Sequence, residues 1–345
     1  MIHTYTFYES DVNKLNDFVL SFFNRIEFEK GNFSIDFFEK EFYDNLVSRH
    51  KTILGKSFKS IYEITKTWRQ PKRTKLCNSI RNSNEIEQIC KGIIVPTKST
   101  DIPTEVKDLL ITLFQKLYND VLFGKYFKPH YGDRKIHYHG FKRCLKNNYD
   151  KCPTCGIRDL HNDKEDITEQ YDHYLAKDIY PFSAVNFKNL IPICAECNSI
   201  LVKKNDDILQ HSGKVFYPFE KKKKLIDIKL NIVKNDPSDL KNIQWGVTYK
   251  VDAGREDELI AWKAIYNVED RHKKYTSGWI NKWYGNLWNY LNDKKVKKVV
   301  PDINSRFEMY ILTKSEDLFE SQALKNIYKT KLLKAVTIAG SYSRY

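Results

Sequence analysis

Apolar residues recur at helical spacing through the first third of the chain. Val12, Leu15, Phe18, Val19, Phe22, Phe23 and Ile26 share one face of a 3.6-residue repeat, and Asp11 stands where an N-cap belongs. Phe37, Phe38, Phe42 and Leu46 predict a second helix. Leu109, Leu110, Leu113, Phe114, Leu117, Tyr118 and Val121 predict a third, beginning near Glu105. Stripes this rich in aromatic side chains are core-facing, because burying them removes the most apolar surface from water. The repeat breaks near Tyr126, where Gly, Pro and His become frequent, and His137 and His139 alternate as on a strand. Beyond the lysine run Lys221 to Lys224, the alternation Leu225-Ile226-Asp227-Ile228-Lys229-Leu230 predicts a strand. Helical spacing returns from about Glu256, with Leu259, Trp262, Ile265 and Tyr266 on one helix and Ile280, Trp283, Tyr284, Leu287 and Leu291 on another. The pattern predicts an α+β protein with predominantly helical flanks, residues 1–125 and 216–345, around a small centre at 126–215.

Composition narrows the class. Across 345 residues, 41% hydrophobic content with 20 Phe, 22 Tyr and 6 Trp argues for a packed fold and against disorder. Lys and Arg outnumber Asp and Glu by 58 − 44 = 14, a field that attracts polyanions, nucleic acid first among them. Met1-Ile2-His3-Thr4-Tyr5-Thr6 is not a secretory leader, and no apolar run reaches the length of a membrane span. The expected compartment is the cytoplasm, where cysteines stay reduced and an odd set of seven reads as metal-binding rather than disulfide-forming.

Four of those cysteines form two pairs of one form, Cys152-Pro153-Thr154-Cys155-Gly156 and Cys194-Ala195-Glu196-Cys197-Asn198. A CxxC turn points both thiolates to one side, and two such turns close a tetrahedral shell suited to structural zinc. Gly156 supplies the permissive backbone the turn needs after its second ligand. A closed shell has no open position, so this metal holds structure and performs no chemistry. Cys77, Cys90 and Cys144 stand alone and read as packed side chains.

Between the pairs lie Tyr171-Asp172-His173-Tyr174-Leu175-Ala176-Lys177-Asp178-Ile179-Tyr180-Pro181 and Asn189-Leu190-Ile191-Pro192. Phosphodiester hydrolysis needs a base, a cation to offset phosphate charge, and a group that aims the base. His173 is a candidate base, Asp172 and Asn198 are oxygen donors suited to Mg²⁺ or Mn²⁺, and Asn189 could fix the imidazole. The order Asp-His, Asn-Leu, Cys-x-x-Cys-Asn resembles the HNH endonuclease family over roughly residues 150–206. Tyr180-Pro181, Asn198-Ser199 and Val215-Phe216-Tyr217-Pro218-Phe219 extend the likeness toward a bacterial defence or restriction-like branch.

The resemblance implies a zinc-stabilised ββα-metal core, with His173 as general base, Asp172 and Asn198 holding one catalytic Mg²⁺ or Mn²⁺, and Asn189 bracing the loop that orients His173. It places Lys177, Lys203 and Lys204 near phosphate, with Asn205 as a fallback ligand because Leu201 stands where the family has lysine. Ala176 likewise replaces a family proline. Expected partners are nucleic acid, DNA ahead of RNA, and an ATPase or sensor protein of an anti-phage system. Further basic candidates for phosphate are Arg69, Lys72, Arg73 and Lys75 around Trp68, Lys221 to Lys224, and the lysines from Lys294 to Lys298. The alternative reading is a non-catalytic zinc-ribbon module that binds nucleic acid and has no use for Asp172, His173, Asn189 and Asn198 together.

Overall fold

The computed structural model describes residues 1–144, 151–161, 170–199, 201–203, 206–222, 224–234, 239–315 and 317–329. The chain divides into two compact units. One comprises Met1, residues 3–223 and 253–266; the other comprises Ile2, residues 224–252 and 267–345.

The first unit begins as the hydrophobic repeat predicts. After a tight turn at Asp11–Asn13, α1 (Lys14–Ile26) buries Leu15, Phe18, Val19, Phe22, Phe23 and Ile26. Asn13 rather than Asp11 occupies the N-cap position of α1, and Asp11 pairs with Lys14 at 3.2 Å. The second predicted helix is broken: α2 (Lys40–Phe42) runs into wide turns at Tyr43–Val47 and Lys51–Gly55 before α3 (Lys56–Thr65). Then follow α4 (Gln70–Asn82), with Pro71 in its first turn, α5 (Ile86–Cys90) and α6 (Thr104–Lys116), which a wide turn extends to Val121.

Beyond Tyr126 the structure departs from the sequence reading, because two helices form there, α7 (Lys128–Tyr131) and α8 (Arg134–Cys144). His137 and His139 lie on α8, so positions two apart point in different directions; His137 is buried and His139 half-buried. Interspersed basic residues mask the apolar set of that helix, Tyr138 and Phe141.

A short hairpin follows. β1 (Tyr171–His173) pairs antiparallel with β2 (Leu190–Pro192), setting Asp172 opposite Ile191 and His173 opposite Leu190. The helix expected to complete a ββα core does not appear among the described residues. Those from Ala195 to Lys203 form turns, with Val202 and Lys203 both donating their N–H to the Ser199 carbonyl. α9 (Glu256–Tyr266) closes the first unit and buries Ala261, Trp262, Ile265 and Tyr266.

One hydrophobic core joins α1, α3 and α6 to Tyr171, Phe182, Val185, Phe187 and Leu190 of the hairpin region. Phe114 of α6 meets Phe182 with ring centroids 5.4 Å apart. Residue 125 is therefore no seam between compact bodies. A buried amide chain ties the same parts together. Asn186 Nδ2 donates to the Asn84 carbonyl at 3.0 Å, and Asn84 Nδ2 donates to the Phe182 carbonyl at 3.0 Å.

In the second unit β3 (Asp227–Lys234) pairs antiparallel with β4 (Gln244–Lys250). Ile228 and Leu230 are buried and Asp227 and Lys229 exposed, the two-residue period of the sequence. The helices are α10 (Val268–Asn292), α11 (Lys294–Val299), α12 (Ile303–Thr313) and α13 (Leu318–Lys329). Gln322 of α13 accepts from the Leu230 N–H at 2.8 Å and donates to the Ile228 carbonyl at 2.7 Å, covering backbone groups along β3. Helices with two small antiparallel sheets make the class α+β. Among the described residues no helix is long and apolar enough to cross a membrane.

Candidate metal centre

The two cysteine turns close with the same backbone hydrogen bond. The Gly156 N–H donates to the Cys152 carbonyl at 2.7 Å, and the Asn198 N–H donates to the Cys194 carbonyl at 3.1 Å. Gly156 sits at φ +68°, a left-handed conformation that a side chain would strain. The four sulfurs lie within 4.8 Å of one another, all buried. Cys155 and Cys194 Sγ are 3.9 Å apart, close to the ~3.8 Å edge of a tetrahedron with Zn–S bonds of about 2.3 Å.

Electrostatics make the same point. Burial pushes the Cys152 thiol well above its ordinary range, and the crowding of the other sulfurs does the same to Cys197. Four sulfurs so placed can be thiolates together only around a cation, so the donor set fits a metal such as zinc. The Cys194 N–H lies 3.5 Å from Cys152 Sγ and the Ile157 N–H 3.5 Å from Cys155 Sγ, backbone donors that orient the ligands. Arg158 Nε meets Glu196 Oε2 at 2.5 Å and links the two turns at the surface. Sequence reasoning missed Trp262, whose Nε1–H donates to the Thr154 carbonyl at 2.9 Å and anchors the first turn to α9. Only its place on an apolar helix face was legible.

Asn189 is fully buried and saturated. Its Oδ1 accepts from the Leu175 N–H at 2.7 Å, and its Nδ2 faces the Leu175 carbonyl at 3.1 Å, the Ser183 carbonyl at 3.3 Å and Ser183 Oγ at 3.2 Å. The residue after Ser183 holds the histidine: His173 Nε2 lies 2.9 Å from the Ala184 carbonyl, so the ring nitrogen that donates there is fixed. Tyr118 packs edge-on to the imidazole with centroids 4.3 Å apart, a contact no motif announced. Tyr174 donates to the Phe216 carbonyl at 2.7 Å, which anchors the Val215–Phe219 segment beside the hairpin. His173 is 9% exposed, and burial lowers its pKa to about 3, so the ring is neutral near pH 7.

Several expected roles change. Asp172 is already engaged by a lysine. Its Oδ2 accepts from Lys203 Nζ at 2.5 Å, and Lys203 also donates to the His173 carbonyl at 2.5 Å. With 3% of its side chain exposed, Lys203 is no surface contact for phosphate, since the buried carboxylate takes its charge. Asn198 is half-buried, its position set by the knuckle turn. The one carboxylate of the expected cation set is thus paired in this conformation, and among the described residues the four cysteines are the group of three or more His, Cys, Asp or Glu arranged to hold a metal.

Lys177 stays half-buried, 3.7 Å from Asp178 and 6.0 Å from the Tyr118 ring centroid, near the histidine. Lys204 and Asn205 lie outside the described residues. Arg73 is also removed from the basic candidates, because it is buried and donates to the Ile26 carbonyl at the end of α1 and to the Glu29 carbonyl just past it. Lys72 is held by Glu105. Compared with known proteins, the chain matches no protein-family model, no curated protein and no solved structure.

Proposed function

We propose that this chain is an HNH-type endonuclease that hydrolyses phosphodiester bonds in nucleic acid, DNA ahead of RNA, on a frame held by structural zinc. The observation that carries the reading is the relay from Asn189 to Ser183, to the adjacent Ala184 carbonyl, to His173. It supports a role in which one asparagine braces a loop and the loop aims a neutral imidazole at the end of a strand. The hairpin register, with Asp172 and His173 ending β1 and the second knuckle following β2, supports the same reading. His173 is the proposed base; in the buried setting its pKa of about 3 is below the range that suits a base near neutral pH, so the reading needs the ring to be more open to water when substrate is bound. The net charge of +14 suits a polyanionic substrate. An anti-phage setting with an ATPase or sensor partner rests on the sequence resemblance alone.

A second reading, the non-catalytic zinc module that binds nucleic acid, is favoured by two observations: the buried Lys203–Asp172 pair and the low exposure of His173. Incubating supercoiled plasmid and single-stranded RNA with the zinc-loaded protein, with Mg²⁺ or Mn²⁺, decides between them. The nuclease reading expects cleavage by wild type and at least a roughly hundredfold loss in His173→Ala, the scale of a missing acid–base group. Retarded mobility of the nucleic acid without cleavage by either protein supports the module and sinks the enzyme.

A further inference from the structure

The disagreement between Asp172 and a metal-binding role has a specific physical form. Lys203 Nζ is held between two hard oxygens, Asp172 Oδ2 and the carbonyl of His173, each at 2.5 Å. Both side chains are nearly sealed, 3% and 7% exposed. A charge is stable in such a place only when paired and hydrogen-bonded, and this ammonium is both. Carboxylate and carbonyl oxygens are also what a hard divalent cation seeks. An ammonium and a dication cannot share one carboxylate in a poorly screened site, since their repulsion outweighs the attraction a second cation would gain.

Lys203 also sits where it can leave. It follows the second knuckle in a turn bonded to the Ser199 carbonyl, and Leu201 of the same turn is 87% exposed. Its long stem lets the ammonium swing to solvent while the backbone stays tied to the cysteines.

We propose that Lys203 is a built-in substitute cation, which holds Asp172 in a metal-excluding state and must withdraw before Mg²⁺ or Mn²⁺ binds. The proposal rests on the nuclease reading only in taking Asp172 as the ligand of that metal. It turns a residue expected to touch phosphate into a gate on cofactor loading, and it predicts weak divalent affinity in the resting protein.

The test measures metal binding directly. Mn²⁺ is titrated into zinc-loaded wild type, Lys203→Ala, Asp172→Asn and the double variant, with free Mn²⁺ read by electron paramagnetic resonance. Lys203→Ala should bind Mn²⁺ roughly tenfold or more tightly than wild type, because the competing charge is gone, and the double variant should lose that gain. Equal Mn²⁺ affinity in wild type and Lys203→Ala overturns the gate, as does a gain that survives Asp172→Asn. Zinc content and circular dichroism establish that each variant folds. If Lys203→Ala does not fold, Lys203→Gln, which keeps a donor without charge, replaces it. Amine labelling of wild type followed by mass spectrometry gives a readout without substitution. Lys203 should be protected without divalent ion and labelled at saturating Mn²⁺; protection at both overturns the proposal. Plasmid cleavage by the same samples separates the two ideas. Cleavage that depends on His173 without a Lys203 effect on binding sinks the gate alone, whereas a gain in binding dependent on Asp172 without cleavage sinks the nuclease alone.

Discussion

Single buried polar residues control this molecule to a degree their sequence context does not advertise. Asn189 uses both ends of its amide, so Asn189→Ala strands several buried backbone groups. The expected loss is about 2–4 kcal/mol in urea unfolding, the cost of unmaking more than one buried hydrogen bond. Asn189→Asp should do similar harm, because a carboxylate cannot donate to the Leu175 and Ser183 carbonyls. His137 carries a pH prediction. Burial lowers its pKa from 6.5 to about 4, with Nδ1 beside the Tyr171 hydroxyl. The unfolded chain therefore takes a proton as pH falls through 6.5 while the folded chain does not until about 4. This contribution is fully present above 6.5 and is lost toward 4. Wild type should lose roughly 2 kcal/mol more than His137→Gln between about pH 7 and pH 4.5 in parallel urea titrations. Equal pH slopes for the two proteins would remove His137 as the cause.

At the scale of elements, the hairpin of β1 and β2 is too short to stand alone, with three residues in each strand. It is held by the cysteine cluster on one side and by the core shared with α1, α3 and α6 on the other. Removing the metal with a high-affinity chelator should therefore lower the melting temperature, and Cys194→Ser should give a protein with less than one bound zinc per chain by elemental analysis. Retention of full stability after complete metal removal would show that packing alone holds the hairpin. Trp262→Phe keeps an aromatic ring but shrinks it and leaves the Thr154 carbonyl without its indole donor. A cost of about 1–3 kcal/mol follows, together with faster zinc release to a colorimetric chelator.

For the whole molecule, the shared core decides which pieces can fold. Residues 126–215 hold the cysteines and the hairpin, yet Phe182, Val185, Phe187 and Leu190 pack among side chains of the first 125 residues. A fragment 126–215 would expose that apolar face, so it should stay unfolded or aggregate even with zinc, as judged by its amide NMR dispersion. A well-dispersed spectrum from the zinc-loaded fragment would show that the centre is autonomous after all. The excess of positive charge should make any binding of nucleic acid fall steeply with salt, and a salt-insensitive affinity would count against phosphate contacts as its source.

What the sequence determined by itself was whatever depends on local spacing. Helical periodicity marked α1, α6, α9 and α10, two-residue alternation marked β3, and paired CxxC turns with Gly156 marked the cysteine cluster. Those features arise from residues a few positions apart, whose relation the backbone geometry fixes in advance. Tertiary structure alone decided that Lys203 reaches back across 31 positions to Asp172, that Trp262 caps a turn 108 positions away, and that Tyr118 packs against His173. Such contacts are chosen by burial and charge compensation in the finished fold, since a buried carboxylate must find a cation from wherever the chain can deliver one.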